Sequence, residues 1–271
     1  MTLKHILAPV SSGLEARNSL RRISATINEL RAELTLIRIL DPFREGGPKP
    51  AAQEWEAIQP EQFGVERLHY HVQAHPDPVS GLASYAFETK MDAIMMPHGP
   101  VTVFPKGPVF SKRLLLESPC PVWVLDGRGR PGHAEQRVQK VLCAVTGGDL
   151  EVVKFAAALC ERLGARLFLL HVVPEVSEGL LAYGLDENVA LTTAKGMELL
   201  ADLQKRAGVN AQPIVEMGST NAGIRRAAKT LNADLIVTAR RHYQSIKQDN
   251  LLSRLFVQPL LRPMPCHVLA V

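Results

Sequence analysis

Hydrophobic and polar positions follow two patterns along this chain, and the patterns succeed one another in a regular order. Short apolar runs, such as residues 34–40, predict strands that are buried on both faces. Between these runs the apolar residues recur at helical spacing, as they do at Leu20, Ile23 and Ile27. Strands that are joined by helices lie parallel in one sheet. The pattern therefore predicts an α/β fold.

The predicted order of elements occurs twice. In the first half the elements are strand 4–10, helix 16–30, strand 34–40, helix 51–58, strand 65–72, helix 79–89, strand 92–97, helix 110–117 and strand 119–125. In the second half they are strand 140–145, helix 150–163, strand 166–173, helix 188–206, strand 211–216, helix 220–231, strand 234–239, helix 251–261 and strand 265–271. Gly164 is predicted to cap the end of its helix in a left-handed conformation.

The closing stretch of each half shows the repetition most clearly. Residues 91–126 and 233–271 each run from an apolar strand through a loop and a helix to a strand that begins Pro-Cys-Pro-Val or Pro-Cys-His-Val. A repeat of this length indicates two similar domains, and residues 126–132 have the composition of a linker. We predict domains at 1–127 and 137–271. The predicted fold class is two tandem five-stranded parallel open sheets flanked by helices.

Composition narrows the class of protein. The 271 residues are 46% hydrophobic and 21% charged, as in a soluble globular protein. The net charge of +4 is small and scattered, so we expect no nucleic acid as a partner. No apolar run approaches the roughly 18 residues of a membrane span, and no signal peptide is visible, so we expect a cytoplasmic protein that does not bind a membrane. All four cysteines lie in apolar runs, which predicts buried free thiols.

Several motifs resemble the universal stress protein family in its tandem two-domain form. They are residues 4–10 (Lys-His-Ile-Leu-Ala-Pro-Val), 164–172 (Gly-Ala-Arg-Leu-Phe-Leu-Leu-His-Val), 233–237 (Ala-Asp-Leu-Ile-Val) and the two Pro-Cys-(Pro/His)-Val endings. The motifs occur in the order typical of the family, and the resemblance extends over nearly the whole chain. The resemblance implies a Rossmann-like sheet with strand order 3-2-1-4-5 in each domain. It also implies that the two domains pair through their fifth strands as an intramolecular pseudo-dimer.

The strand order places a ligand crevice at the carboxyl ends of the first and fourth strands, where the order reverses. The resemblance implies that ATP binding in this family needs two features. One is an acidic residue after the first strand, and the other is a G-x2-G-x9-G-[ST] loop after the fourth. Ser11 and Thr146 stand at the acidic position here. Gly99 fits the first loop glycine, but Thr102 stands at the second, and the loop at 239–250 contains no glycine.

We therefore expect binding of ATP or AMP to be impaired in the first half and lost in the second. The residues predicted to bind a nucleotide in the first half are Pro9, Val10, Ser11, Gly99, Gly107 and Ser111. The weaker set predicted for the second half is Val145, Thr146, Gly147 and Arg240. We predict no catalytic residue and no metal site.

Two further patterns each allow two interpretations. Thr146-Gly-Gly-Asp149 follows a strand and opens a helix. It is either a phosphate-holding loop similar to that of pyrophosphate-cleaving ligases or a tight turn in which Asp149 caps the helix. His69, His71 and His75 either contribute to a metal site or belong to a half-exposed sheet edge. For the first pattern we favour the tight turn. For the histidines we favour the sheet edge, because no carboxylate or thiol completes a set of metal ligands.

These expectations favour a cytoplasmic, non-catalytic stress-response protein that acts by binding and interaction and has degenerate nucleotide loops. The alternative is an ATP- or AMP-binding sensor, in which the ligand stabilises one domain arrangement. A nucleotide-hydrolysing enzyme is the least favoured class, because the sequence shows no nucleophile with a paired base. A homodimer of chains and an unidentified protein partner are left open.

Overall fold

The computed structural model describes residues 3–10, 13–43, 64–96, 107–125, 137–173, 186–240 and 266–271. Within these residues the chain divides into two compact units. Unit 1 contains the described residues up to Arg137, together with Arg240 and Leu269–Val271. Unit 2 contains the described residues of Val138–Ala239 and residues 266–268. The domain boundaries predicted from the sequence stay predictions.

Helices and strands alternate in both halves. The elements of the first half are β1 (His5–Pro9), α1 (Gly13–Glu29), β2 (Glu33–Leu40), β3 (Leu68–Ala74), α2 (Pro78–Glu88), β4 (Ala93–Met96), α3 (Gly107–Glu117) and β5 (Val122–Val124). Those of the second half are β6 (Lys140–Ala144), α4 (Leu150–Leu163), β7 (Arg166–Val173), α5 (Asp186–Ala207), β8 (Gln212–Met217), α6 (Thr220–Leu231), β9 (Leu235–Thr238) and β10 (His267–Ala270).

The strand order confirms the predicted α/β class. It is β3-β2-β1-β4-β5 in the first half and β8-β7-β6-β9-β10 in the second, which is the order 3-2-1-4-5 in both. The pairs β1–β2, β1–β4, β2–β3 and β4–β5 are parallel, as are β6–β7, β6–β9 and β7–β8. The carboxyl ends of the central strands therefore lie at one edge of each sheet.

Apolar residues of the strands and helices meet in a continuous core in unit 1. One face of its sheet packs against α2 and α3 through buried residues that include Leu7, Ile37, Leu82, Ile94, Leu114 and Val122. Ala270 of β10 is buried in the same cluster and is 1% exposed. The apolar strands and the apolar helix faces predicted from the sequence supply this core. In the part of the chain that the structure describes, every helix is too short or too polar to cross a lipid bilayer.

Four predicted starts need correction by three residues. Helix α1 begins at Gly13 rather than at 16, and β5 begins at Val122 rather than at 119. The third strand begins at Leu68 rather than at 65, because the chain turns at Gly64, whose φ is +64°. The fourth helix of the first half begins at Gly107 rather than at 110. The cap predicted at Gly164 is confirmed, with φ +62° and its N–H bonded to the end of α4. The helices predicted at 51–58 and 251–261 lie outside the described residues.

The same carboxylate clamp holds both first strands at their amino ends. Asp92 Oδ2 accepts hydrogen bonds from the backbone N–H groups of Lys4, at 2.7 Å, and His5, at 2.9 Å. Asp234 Oδ2 accepts two equivalent bonds in unit 2, both at 2.9 Å, from the residue that precedes β6 and the residue that opens it. The clamp explains the Asp that begins each copy of the Asp-Leu-Ile-Val or Asp-Ala-Ile-Met segment.

A glycine brings α2 close to the sheet of unit 1, and another brings α6 close to the sheet of unit 2. A Cβ on Gly223 of α6 would lie 2.8 Å from Cγ1 of Val172, and one on Gly81 of α2 would lie 2.9 Å from Cβ of His75. These distances are shorter than any ordinary carbon contact. Both positions therefore require glycine for the helix to pack where it does.

Candidate functional site

The carboxyl ends of β1 and β6 are held in the same way. Pro9 is the last residue of β1, and the N–H of buried Val10 donates to Ile37 O at 2.9 Å. The N–H of Val145, just past β6, donates to Leu170 O at 2.8 Å. Val10 and Val145 are 1% and 4% exposed. The predicted crevices therefore begin from equivalent, rigid strand ends.

The remaining residues predicted for the first crevice are only partly described. Ser11 and Gly99 lie outside the described residues. Gly107 is the first residue of α3, and Ser111 lies within that helix. The structure thus places Pro9 and Val10 at the end of β1, and a shared binding site for the predicted residues stays a prediction.

The turn after β6 is closed by a buried carboxylate. Asp149 is 1% exposed, and its Oδ2 accepts from the N–H of Thr146 at 2.6 Å and from the Thr146 hydroxyl at 2.9 Å. Asp149 occupies the N-cap position of α4, but its side chain makes no capping hydrogen bond. The expected tight turn is present, whereas the capping role expected for Asp149 is wrong: the carboxylate folds back onto Thr146.

Helix α5 covers this turn from one side. A Cβ on Gly147 would lie 3.4 Å from Cδ1 of Leu199. Nδ1 of His171 in β7 lies at hydrogen-bond distance, 3.1 Å, from Val145 O. Helix α5 also approaches this ring, since a Cβ on Gly196 would lie 3.4 Å from it. His171 was not predicted as part of this region, although it stands in the motif 164–172 that supports the family resemblance.

Arg240 is committed to backbone carbonyls. Its Nη1 donates to Ser118 O and, at 2.9 Å, to Cys120 O, and its own N–H donates to Val271 O at 2.7 Å. All four residues belong to unit 1. Burial lowers the pKa of the Arg240 guanidinium, and its Nε has no hydrogen-bond partner among the described residues. Such a cation holds a turn and has little freedom to follow a phosphate.

The turn from β3 into α2 is held by an ion pair. Asp77 caps α2 by accepting from the Ser80 N–H at 3.2 Å and the Ser80 hydroxyl at 2.6 Å. Arg113 of α3 donates to both Asp77 oxygens, at 2.9 and 2.7 Å, and also to Glu117. The Arg113 hydrogen bonds hold the pKa of the Asp77 carboxyl well below its usual range. This ion pair fixes α2 against α3.

The corresponding turn of unit 2 uses other groups. Ser219 occupies the N-cap position of α6 without a capping side-chain bond. Arg226 of α6 instead donates to Glu216 Oε2 at 3.1 Å and to Met217 O. Gly218 stands between Met217 and Ser219 and has φ +117°, a conformation that favours glycine.

The three histidines of the first half have separate roles. His69 Nε2 lies 4.0 Å from Glu33 Oε2, His71 stacks on Tyr85 with ring centroids 4.4 Å apart, and His75 Nδ1 lies at the backbone of Asp77. Burial lowers the pKa of His71. Within the described residues, no three His, Cys, Asp or Glu side chains are grouped to hold a metal ion. The histidines fit the interpretation as a half-exposed sheet edge.

All four cysteines are free and buried, as predicted. Burial raises the pKa of the Cys120 and Cys143 thiols, and it raises that of Cys160 to about 12. These thiols are therefore protonated at neutral pH and behave as small apolar side chains.

A search of curated protein sequences finds no match to the chain. The family model described as Universal stress protein family matches residues 137–271. The chain belongs to the universal stress protein family.

Solved structures share the fold over nearly the full length of this family member. A functionally unknown protein from Pseudomonas aeruginosa PAO1 has a TM-score of 0.66 at 18% identity and covers 99% of this chain and 92% of its own. A universal stress protein from Archaeoglobus fulgidus DSM 4304 has a TM-score of 0.65 at 13% identity, with 99% and 97% covered.

A third similar structure belongs to a different kind of protein. The cytoplasmic domain of a prokaryotic cation chloride cotransporter has a TM-score of 0.54 at 12% identity, with 98% of this chain and 94% of that chain covered. Likeness at these identities concerns the fold, and the fold by itself assigns no activity.

One of the second-half residues predicted to bind a nucleotide, Thr146, has both its N–H and its hydroxyl bonded to Asp149. A phosphate needs free N–H groups at the strand end. The N–H and hydroxyl of Thr146 both face the carboxylate of Asp149, and a second anion at that place would be repelled. Asp149 was predicted in this tight turn as a helix cap, and its carboxylate bonds to Thr146 instead.

Proposed function

We propose that this universal stress protein is a non-catalytic binding and interaction protein whose nucleotide loops are degenerate. The observation that carries the proposal is the buried Asp149 carboxylate, which takes both donors of Thr146 at the carboxyl end of β6. The commitment of Arg240 to Ser118 and Cys120 supports it, because the predicted cation of the second crevice is already in use.

Calorimetry of the full chain with ATP, ADP and AMP tests the proposal. We expect no micromolar binding in the second crevice and at most one weak site per chain. Two micromolar sites per chain would overturn it. Direct measurement of phosphate or AMP release from ATP tests the non-catalytic part, and turnover above that of the buffer would contradict it.

Replacing the carboxylate makes the test sharper. Asp149→Asn removes the negative charge and leaves an oxygen that can accept from Thr146, so the turn is retained. We expect this variant to bind AMP or ATP more tightly than the unchanged chain, since the repulsion of the phosphate is removed. Glu151→Gln, on the exposed first turn of α4, removes the same charge nearby and is expected to leave affinity unchanged. Equal affinities of Asp149→Asn and the unchanged chain would show that the carboxylate does not control the crevice.

The second candidate is a nucleotide sensor that uses the first crevice with ATP or AMP as ligand. It is favoured by the rigid ends of β1 and β6, which are held alike at Val10 and Val145. A ligand that binds the folded state raises the melting temperature by mass action. A shift of several degrees with millimolar AMP, which is lost on mutation of Ser11, would favour the sensor.

We also propose a cytoplasmic location and pairing of the two domains through their fifth strands. Buried free thiols suit a reducing compartment. The pairing rests on the family resemblance, and a homodimer of chains is a separate question. Sedimentation measurements give the number of chains. A single chain in solution is the expected result if the two fifth strands cover each other within the chain.

A further inference from the structure

A surface cleft of about 480 Å³ opens in unit 2 at the amino ends of β7 and β8. It lies at the opposite end of these strands from the nucleotide crevice. The residues that line it are Ala157 and Cys160 of α4, residues 165–168 at the start of β7, and residues 209–212 before and at the start of β8. The volume lies within the range of small-molecule sites.

Two of the equivalent positions in unit 1 carry larger side chains. The N–H of Ala165 bonds to Cys160 O as that of Ala32 bonds to Ile27 O, so Cys160 corresponds to Ile27. Phe168 pairs with Gln212 as Thr35 pairs with His69, so Ala211 corresponds to Leu68. Cys160 and Ala211 therefore leave more room at these two positions than their counterparts in unit 1, whereas Phe168 is larger than its counterpart Thr35.

The charge of this region is also changed. The N–H of Arg166 bonds to Gln139 O as that of Glu33 bonds to Lys4 O, so Arg166 stands where unit 1 has Glu33. Glu33 accepts from Arg67 at 2.8 Å and lies 3.2 Å from His5.

Unit 2 supplies no carboxylate of its own to this cleft. One guanidinium and the two amides of Asn210 and Gln212 line it, with no acidic side chain among the lining residues. Arg166 has no ion pair among the described residues. An anion brought by a ligand could pair with this exposed guanidinium.

We propose that this cleft binds a small organic acid that has an apolar body. The apolar part would occupy the space between Ala157, Cys160 and Ala211, and the carboxylate would pair with Arg166. The neutral, buried Cys160 thiol suits an apolar floor. The proposal is independent of the nucleotide crevice and of any role assigned to it.

Methyl NMR of the full chain with sodium octanoate tests the site, and octylammonium is the matched ligand of opposite charge. We expect saturable shifts of the Ala157 and Ala211 methyl signals, with a dissociation constant on the order of 0.1–1 mM for a ligand of this size. Octylammonium is expected to give at least tenfold weaker binding. The absence of saturation up to about 10 mM octanoate, or equal binding of the two ligands, overturns the proposal.

Variants that copy unit 1 locate the binding. Cys160→Ile and Ala211→Leu fill the cleft with the side chains that unit 1 carries, and each should weaken octanoate binding at least tenfold. Arg166→Glu copies Glu33 and should weaken it at least fivefold. Lys154→Glu reverses an equal charge on the exposed side of α4 and should change nothing.

Arg166→Glu alters an exposed side chain, so it keeps the test valid if a filling variant does not fold. Octanoate affinity that is unchanged in Arg166→Glu contradicts the role of the guanidinium. Unchanged affinity in a folded filling variant contradicts the location. Nucleotide titration of the same variants should give the result of the unchanged chain, which separates this site from the proposed function.

Discussion

At the amino ends of the first strands, Asp92 and Asp234 make the same two hydrogen bonds to the neighbouring backbone. The carboxyl ends of β1 and β6 are also held alike, through Val10 and Val145. The halves differ at the carboxyl ends of β3 and β8: Asp77 and Arg113 hold the turn into α2, whereas Arg226 holds the turn into α6 from within its own helix. The repeat has therefore kept the groups that fix the first strands and changed the groups that hold the turns after the third strands.

The largest effect is expected where the halves agree. Asp234→Ala removes two charge-assisted bonds to the backbone and should lower the free energy of unfolding of unit 2 by about 3 kcal/mol. Asp92→Ala should have an equal effect in unit 1. Urea unfolding, with native-state hydrogen exchange to assign the loss to one unit, measures both. A cost below about 1 kcal/mol in either variant would show that the clamp is not a shared source of stability.

The next largest loss of stability is expected where α2 and α6 approach their sheets closely. Gly223→Ala places a Cβ 2.8 Å from Val172 and should cost about 2 kcal/mol, because the helix must shift from its sheet. Gly81→Ala should cost a similar amount. Gly164→Ala tests the other requirement for glycine, since a Cβ there meets nothing within 4 Å and only the positive φ opposes it. Thermal unfolding should rank Gly164→Ala as the mildest of the three.

A smaller and unequal effect is expected at the two N-caps. Asp77→Ala removes the cap of α2 and its ion pair with Arg113, so it should cost about 1–2 kcal/mol. Ser219→Ala removes no capping bond and should stay within about 0.5 kcal/mol. Equal costs at the two positions would contradict the difference between the carboxyl-end turns.

The pH dependence of the Asp77 effect is the smallest expected signal. Because the pKa of Asp77 is lowered in the folded state, its contribution is fully present above the unfolded pKa, near 4, and is lost as the pH falls below that value. The Asp77 side chain is 35% exposed, so solvent screening reduces the effect. The stability difference between Asp77→Ala and the unchanged chain should therefore shrink from pH 5 to pH 3. A constant difference over this range would exclude an electrostatic origin.

The sequence supported accurate prediction of the fold because most of its elements are locally determined. Helix 150–163 ends at a glycine, and the strand 166–173 is a continuous apolar run, so both have the predicted bounds. The start of the third strand was placed three residues early, because Val65 is apolar but follows a left-handed glycine in a turn. Apolar character alone does not distinguish a strand from a buried turn.

The site was less predictable because its chemistry depends on contacts across the fold. Thr146 was recognised as a departure from the family pattern, but the bond from Asp149 depends on a side-chain orientation that spacing does not reveal. The bonds of Arg240 to Ser118 and Cys120 join residues about 120 positions apart. The cleft at the amino ends of β7 and β8 includes two small side chains, Cys160 and Ala211, and their difference from unit 1 is recognised only when the halves are aligned by their hydrogen bonds.

The burial of Ala270 within the core of unit 1 has a consequence for synthesis of the chain. The ribosome completes β5 roughly 145 residues before it adds Ala270, which at 5–20 residues per second is a delay of about 7–30 s. During that interval the emerging first half lacks a side chain that its own core contains. A nascent polypeptide of this kind is a natural client for chaperones, and translation rate would influence its yield.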